Sequence, residues 1–398
     1  MKPVRPEVRR RELGGPDPLD RRLGVPNPPS ALGWLIALLR RRSALGFAPA
    51  LTPAVIFLPL GALLGPHGLA WFSPRLLGRL DLAVTIALAV LGVLVGIALG
   101  REIRTAFGLF LAASLESAVT TAAVTAASAF YIQKTGMPIS VPLLAFSRAL
   151  GLCASASSAT SADPDSEPAA SVATRVADLD DVVPIVLAVG AFALFAQGYS
   201  VSTTVVLLAP LVLGLAVGAI GWLVFDRAES GPERVVFVLG ALALAGGAAA
   251  YLRVSPLAVG LVAGLIWTVA PGRADRVVES DLRKVQHPLV VLLLVTAGAH
   301  ATLSSAAWWL LPPYLLFRMA GKVAGAWLSG PRLDVRPSDL ASYLMPPGVL
   351  AVAFALNFRQ VLPQAVGDVL LSTVALGTAA FELFALAVVP HWRRRAVR

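Results

Sequence analysis

The chain has 398 residues, 57% of them hydrophobic and only 14% charged, with a formal net charge of +10 and a mean hydropathy of +0.76. Soluble domains carry about 25% charged residues, so this composition excludes a soluble enzyme, a disordered chain and a collagen-like fibre. It leaves a polytopic membrane protein. The single cysteine, Cys153, excludes an intrachain disulfide and a thiolate metal centre. His67, His287, His300 and His391 form no HExxH-type cluster, and no GxxxxGK[ST] loop is present, so nothing points to nucleotide-driven pumping.

Taken in order, residues 1–30 are rich in Pro and Arg and lack an apolar core, so they read as a disordered cytoplasmic tail rather than a signal peptide. Residues 31–42 (ALGWLIALLRRR) read as a short interfacial helix with its basic residues at the headgroups. Segment 1–45 is therefore expected to be a basic cytoplasmic arm, 46–392 a transmembrane domain, and 393–398 a basic cytoplasmic end. A bilayer core takes about 20 apolar residues as helix. On that basis twelve spans are expected, at 47–64, 82–100, 105–131, 138–162, 171–197, 201–225, 235–252, 255–270, 286–302, 306–329, 338–358 and 366–390. The string Gln197-Gly198-Tyr199-Ser200 provides the turn that divides the long uncharged run of spans five and six.

Basic residues orient these spans. With both termini cytoplasmic, 25 of the 33 Lys and Arg fall on inside loops and ends, and five on outside loops. This is the bias that sets topology in a cell (inner or plasma) membrane. The same placement assigns the positive charge to the lipid interface, and no nucleic-acid partner is expected.

Ionisable residues inside spans are costly and are functional candidates by default. Asp180 and Asp181 are adjacent carboxylates about ten residues into span five, near mid-membrane. Such a pair resists full ionisation and can hold a proton or exchange it for a hard cation that favours oxygen ligands. Asp178, two residues earlier, points away and reads as a helix-end charge. Glu116 in span three and Arg148 in span four lie at similar depth on antiparallel neighbours and are expected to form a structural ion pair. Arg318 and Lys322 share a face of span ten, with Glu382 of span twelve as a second structural partner for these bases. Lys322 lies at the depth of Asp181, and a lysine titrates beside a carboxylate more readily than an arginine.

Two spans carry breaking signals. Residues 155–161 (SASSATS) place Ser155, Ser157, Ser158 and Thr160 where hydroxyls can satisfy unwound backbone. Met345-Pro346-Pro347-Gly348 breaks span eleven. Spans four and eleven hold matching positions in the triplets three–four–five and ten–eleven–twelve, which run in opposite directions. Weak helices at corresponding places in two inverted halves point to a transport site.

With these residues in place, the sequence resembles the monovalent cation/proton antiporter superfamily from about Leu60 to Pro390. The resemblance rests on five strings in the family's order. They are residues 60–69 (LGALLGPHGL), Leu179-Asp180-Asp181-Val182, Gly321-Lys322-Val323-Ala324-Gly325, residues 344–353 (LMPPGVLAVA) and Phe381-Glu382-Leu383. It implies an all-α inverted-repeat fold with two broken crossing helices, a dimerising panel and elevator-like alternating access. It also implies that Asp180 and Asp181 bind a monovalent cation and protons in competition, with the site lined by Ser155, Ser157, Ser158, Thr160, Pro346, Pro347 and Gly348. Lys322 would pair with an aspartate and be released when the cation binds, an arrangement that goes with electrogenic exchange. The family's fourth-helix string is matched by residues 159–164 (ATSADP), only 16 residues before Asp180, so the break is placed at 155–158.

The expected function is thus exchange of Na+, K+ or Li+ for protons in a homodimer, with no cofactor and no enzymatic activity. A transport-inactive sensor that retains the fold is the alternative. An intramembrane serine hydrolase finds no support, because His300 lies near an outer helix end and no GxSG string is present.

Overall fold

The computed structural model describes residues 52–158, 168–195, 202–225, 231–270 and 274–396. The arm and interfacial helix expected over 1–45, Thr160 and the turn expected at 197–200 lie outside the described residues. Within them the structure is helical: α1 (Pro53–Leu64), α2 (Pro74–Thr105), α3 (Phe107–Thr135), α4 (Leu143–Ser155), α5 (Pro168–Leu179), α6 (Val182–Phe195), α7 (Thr203–Phe225), α8 (Gly231–Leu252), α9 (Pro256–Val269), α10 (Ala274–His300), α11 (Ser305–Ser329), α12 (Pro337–Leu344), α13 (Gly348–Arg359) and α14 (Gln364–Ala396), with a 3-10 turn at Gly330–Arg332.

Each apolar stretch of the sequence falls on one of these helices or on a pair, the fifth on α5 with α6 and the eleventh on α12 with α13. Six helices (α2, α3, α7, α8, α10 and α14) are each long and apolar enough to cross a bilayer. The pair α12–α13, bent by 54°, qualifies as a seventh span when taken together, and α1, α4 and α9 are shorter apolar helices. Beyond their first turns, α7 and α8 expose mainly apolar side chains, among them Leu208, Val212, Val236 and Leu244. That is the pattern of helices whose outer face meets lipid rather than water.

Small residues set how closely the helices approach. A Cβ on Gly92 of α2 would fall on the Leu257 carbonyl of α9, and one on Gly260 of α9 would fall on the Ala89 carbonyl of α2. With Gly96 and Gly264 one turn on, the two helices meet through glycines at four-residue spacing, the arrangement that lets membrane helices pack backbone to backbone. Gly321 and Gly325 do the same for α11 against α3. Their Cβ atoms would stand 2.9 Å from Thr120 Cα and 2.9 Å from Glu116 Cγ. This approach carries Lys322, between the two glycines, to the buried face of α3.

The helix starts are conventional. Ser73, Ser255 and Ser304 each accept a hydrogen bond from the backbone N–H three residues on, at 3.3 Å. Two side-chain amides, the buried Asn357 and the exposed Gln360, tie the end of α13 to its neighbours. Asn357 Nδ2 donates to Ser255 Oγ at 3.0 Å, and Gln360 Nε2 donates to Thr85 Oγ1 at 3.0 Å.

Candidate functional site

Three interruptions of helix meet in the interior. The first is where α4 ends at Ser155 and Ala156 turns extended, at φ −59° and ψ 139°. The second separates α12 from α13 at Met345-Pro346-Pro347. The two non-helical stretches are joined backbone to backbone, Ser158 N donating to the Pro346 carbonyl at 2.8 Å. Gly348 restarts the helix with φ +67°, and a Cβ there would lie 2.5 Å from Ser158 Cβ. Only glycine meets both demands without strain.

The third interruption falls at Asp180-Asp181, between α5 and α6, where the sequence led us to expect a continuous span. Helical bonding runs up to Asp180, whose N–H donates to the Val176 carbonyl at 2.8 Å, and resumes with Ile185 N donating to the Asp181 carbonyl at 3.1 Å. The residue that would bond the Asp180 carbonyl is Pro184, which has no N–H. A proline four residues after Asp180 was the signal the sequence reading missed.

The side chains converge on Lys322, which is fully buried. Its Nζ lies 3.1 Å from the Glu116 carboxylate, 3.2 Å from Asp180 Oδ2 and 2.5 Å from Ser157 Oγ, and it also donates to the Ser155 carbonyl. Ser157 Oγ in turn donates to Asp180 Oδ2 at 2.5 Å, and Thr120 Oγ1 donates to Glu116 Oε1 at 2.9 Å. The expected Glu116–Arg148 pair does not form. The glycines of α11 bring Lys322 to Glu116 instead, and Arg148 is exposed on α4. Residue depth placed Glu116 and Arg148 level with each other, but rotation about the helix axes put them on different faces.

Arg318, one turn from Lys322 and also fully buried, binds the frame. Its Nη2 donates to the Ala156 carbonyl at 2.8 Å and to the Met345 carbonyl at 3.2 Å, and its guanidinium stacks 5.4 Å from the Phe381 ring centroid. These carbonyls close the C-terminal ends of α4 and α12, where helix dipoles concentrate negative charge. Glu382, nearly buried on α14, lies at the Gly348 backbone N–H, the corresponding positive end of α13. Arg318 and Glu382 thus serve the broken helices rather than forming a contact pair with each other among the described residues.

Asp181 makes no hydrogen bond with Lys322. It lines a cavity of about 560 Å³ together with Ser157, Ser158, Thr174 and Asp178. The cavity opens at the end of the molecule that carries Arg101, Arg175 and Arg283, where Arg175 holds Glu102 through two hydrogen bonds of 3.0 and 2.5 Å and Arg101 pairs with Glu279. Asp178 stands exposed in the last turn of α5. Both Asp181 carboxylate oxygens and Asp180 Oδ1 are buried without a hydrogen-bond partner among the described residues. Buried carboxylate oxygens left unmatched are costly, so the two on Asp181, which lines the cavity, and the one on adjacent Asp180 mark a place for a group that supplies positive charge or protons. The donors are oxygen only, which suits a hard cation and offers nothing to a soft transition metal.

The architecture is that of a multi-pass helical membrane protein with an antiporter-like fold. Among solved structures it is similar to the sodium proton antiporter MjNhaP1 from Methanocaldococcus jannaschii. The TM-score is 0.62 at 17% sequence identity, over 90% of this chain and the whole of that one. At that identity the likeness is one of fold. No family model matches the chain, and no curated protein matches it.

Proposed function

We propose that the protein is a secondary antiporter that exchanges a monovalent cation, most readily Na+ with K+ and Li+ as relatives in charge, for protons. The observation that carries this reading is the set of buried, unpartnered carboxylate oxygens on adjacent Asp180 and Asp181, the second of which lines the cavity. A cation there satisfies oxygens that protons satisfy otherwise, and the two cannot occupy them together. That exclusion couples the fluxes. Asp180 also holds Lys322, so a cation that takes Asp180 displaces the ammonium. Ser157 and Ser158 offer hydroxyl oxygens at the same place, and the interrupted backbone lets the site sit at the crossing of α4 and α12–α13. The ion gradients supply the energy.

In this reading the chain crosses the bilayer twelve times, with both termini cytoplasmic, in two inverted repeats and as a homodimer. The end bearing Arg101, Arg175 and Arg283 is then the cytoplasmic one by its excess of basic residues, and the cavity is the cytoplasmic approach to the site. Alternating access closes that approach and opens one on the other side. The fold likeness to a sodium proton antiporter supports the same reading.

The test is proton flux in proteoliposomes under an imposed pH gradient, with Na+, K+ and Li+ added in turn, for wild type and Asp181→Asn. One cation is expected to dissipate the gradient with wild type and to leave it standing with the variant. A wild type silent with every cation at acidic, neutral and alkaline pH would overturn exchange and leave a sensor that keeps the fold.

A further inference from the structure

We infer that Glu116 is a positioning residue of the transport site, the anion that keeps Lys322 when the cation takes Asp180. The inference rests on the antiporter reading above and adds to it a residue outside the aspartate pair.

The argument starts from the count of partners. An ammonium has three N–H donors, yet Lys322 Nζ meets four acceptors: the Glu116 carboxylate, Asp180 Oδ2, Ser157 Oγ and the Ser155 carbonyl. It is oversubscribed by one. Removing Asp180 from that set leaves three acceptors for three donors, and Glu116 is the only charged one among them. Without Glu116, displacement from Asp180 would leave a fully buried cation with only a hydroxyl and a carbonyl, and an uncompensated buried charge is among the most costly arrangements a protein can adopt.

The surroundings of Glu116 fit this role. It is fully buried, its Oε1 is held by Thr120 Oγ1 at 2.9 Å, and its Cγ lies where a side chain at Gly325 would stand. It is fixed from α3 and pressed against α11, with its carboxylate already 3.1 Å from Lys322 Nζ, so it holds the ammonium in place when Asp180 is taken. Its two oxygens are already held, Oε1 by Thr120 and Oε2 by Lys322, whereas Asp180 keeps Oδ1 without a partner beside Asp181, so the entering ion meets Asp180 and not Glu116. Asp180 and Glu116 therefore divide the work. One is held by Lys322 until the ion arrives, and the other keeps the lysine afterwards.

The test compares wild type, Glu116→Gln and Glu116→Asp in proteoliposomes, reading KM for the transported cation and kcat separately, with thermal unfolding in detergent against Na+ concentration alongside. With Gln at 116 the lysine is left with Asp180 as its sole counter-charge and competes harder with the cation. KM is expected to rise about tenfold, equivalent to about 1.4 kcal/mol. The Na+ concentration giving half the thermal stabilisation should rise by the same factor, and Glu116→Asp should recover part of the shift. A merely structural residue would lower the unfolding temperature and leave both midpoints in place. Unchanged or lowered KM and Na+ midpoints in Glu116→Gln, with active wild type, would overturn the inference while leaving the antiporter reading intact. A silent wild type would overturn both.

Discussion

Gly348 restarts α13 with φ +67° at the point where a Cβ would stand 2.5 Å from Ser158. Two costs coincide there, a left-handed backbone and a collision with the other broken helix. Gly348→Ala should therefore destabilise by at least about 2 kcal/mol, seen as a lower unfolding temperature in detergent. Gly136, with φ +63° and open space where its Cβ would be, provides the control. Gly136→Asn should cost less than about 1 kcal/mol, since asparagine tolerates the left-handed region. Lys322 and Arg318 make a similar contrast four residues apart. Lys322 binds a carboxylate, Asp180, that can be given to an ion in the proposed exchange, whereas Arg318 binds the carbonyls of Ala156 and Met345, which cannot leave. Arg318→Met removes two charge-assisted hydrogen bonds, each contributing about 1.5–3 kcal/mol. It should lower the unfolding temperature without shifting the Na+ dependence of that temperature.

At the scale of the element, the interior is organised by places where helices stop. The run of serines and the Met-Pro-Pro-Gly string announced two of them, because hydroxyl runs and prolines act within a few residues of themselves. The third, at Asp180-Asp181, was equally local in cause. Pro184 withholds the N–H that would have bonded the Asp180 carbonyl. The acid pair drew attention to charge, and the proline behind it was read as part of an apolar run. Pro184→Ala should restore the missing bond, straighten α5 into α6 and turn the two carboxylates away from the cavity. Cation-dependent flux should fall at least about tenfold while thermal stability holds, because a proline in the first helical turn adds little stability of its own. Retained flux in that variant would mean the break has another cause. The glycine contacts of α2 with α9 and of α11 with α3 were also present in the sequence, as Gly92/Gly96, Gly260/Gly264 and Gly321/Gly325. Spacing shows that such a seam can exist but does not name its partner helix.

Across the whole molecule, the cavity beside Asp181 runs to the end with Arg101, Arg175 and Arg283, which line it. Thr174 lines it on α5 and offers a direct check of orientation. With Cys153, which is buried, replaced by Ser, a single cysteine at Thr174→Cys should react with a membrane-impermeant thiol reagent from the cytoplasmic side of inverted vesicles. It should be protected in right-side-out ones. Saturating Na+ should slow the reaction if the ion draws the cavity closed. Labelling from the opposite side would reverse the assigned orientation.

Composition alone settled that this is a membrane protein, because 57% hydrophobic residues and 14% charged ones leave too little polar surface for water. The apolar runs placed the helices, since a bilayer imposes length and apolarity on each segment separately. Burial cost marked the charged candidates, since any carboxylate or ammonium within such a run demands a partner. The choice of partner was beyond the sequence. Depth along a helix can be counted residue by residue, and that count paired Glu116 with Arg148. Rotation about the helix axis and the distance between helices depend on contacts hundreds of residues apart, here Gly321 and Gly325 against Thr120 and Glu116. Tertiary packing therefore decided that Lys322 lies between Glu116 and Asp180, and that Asp181 is left to face the cavity.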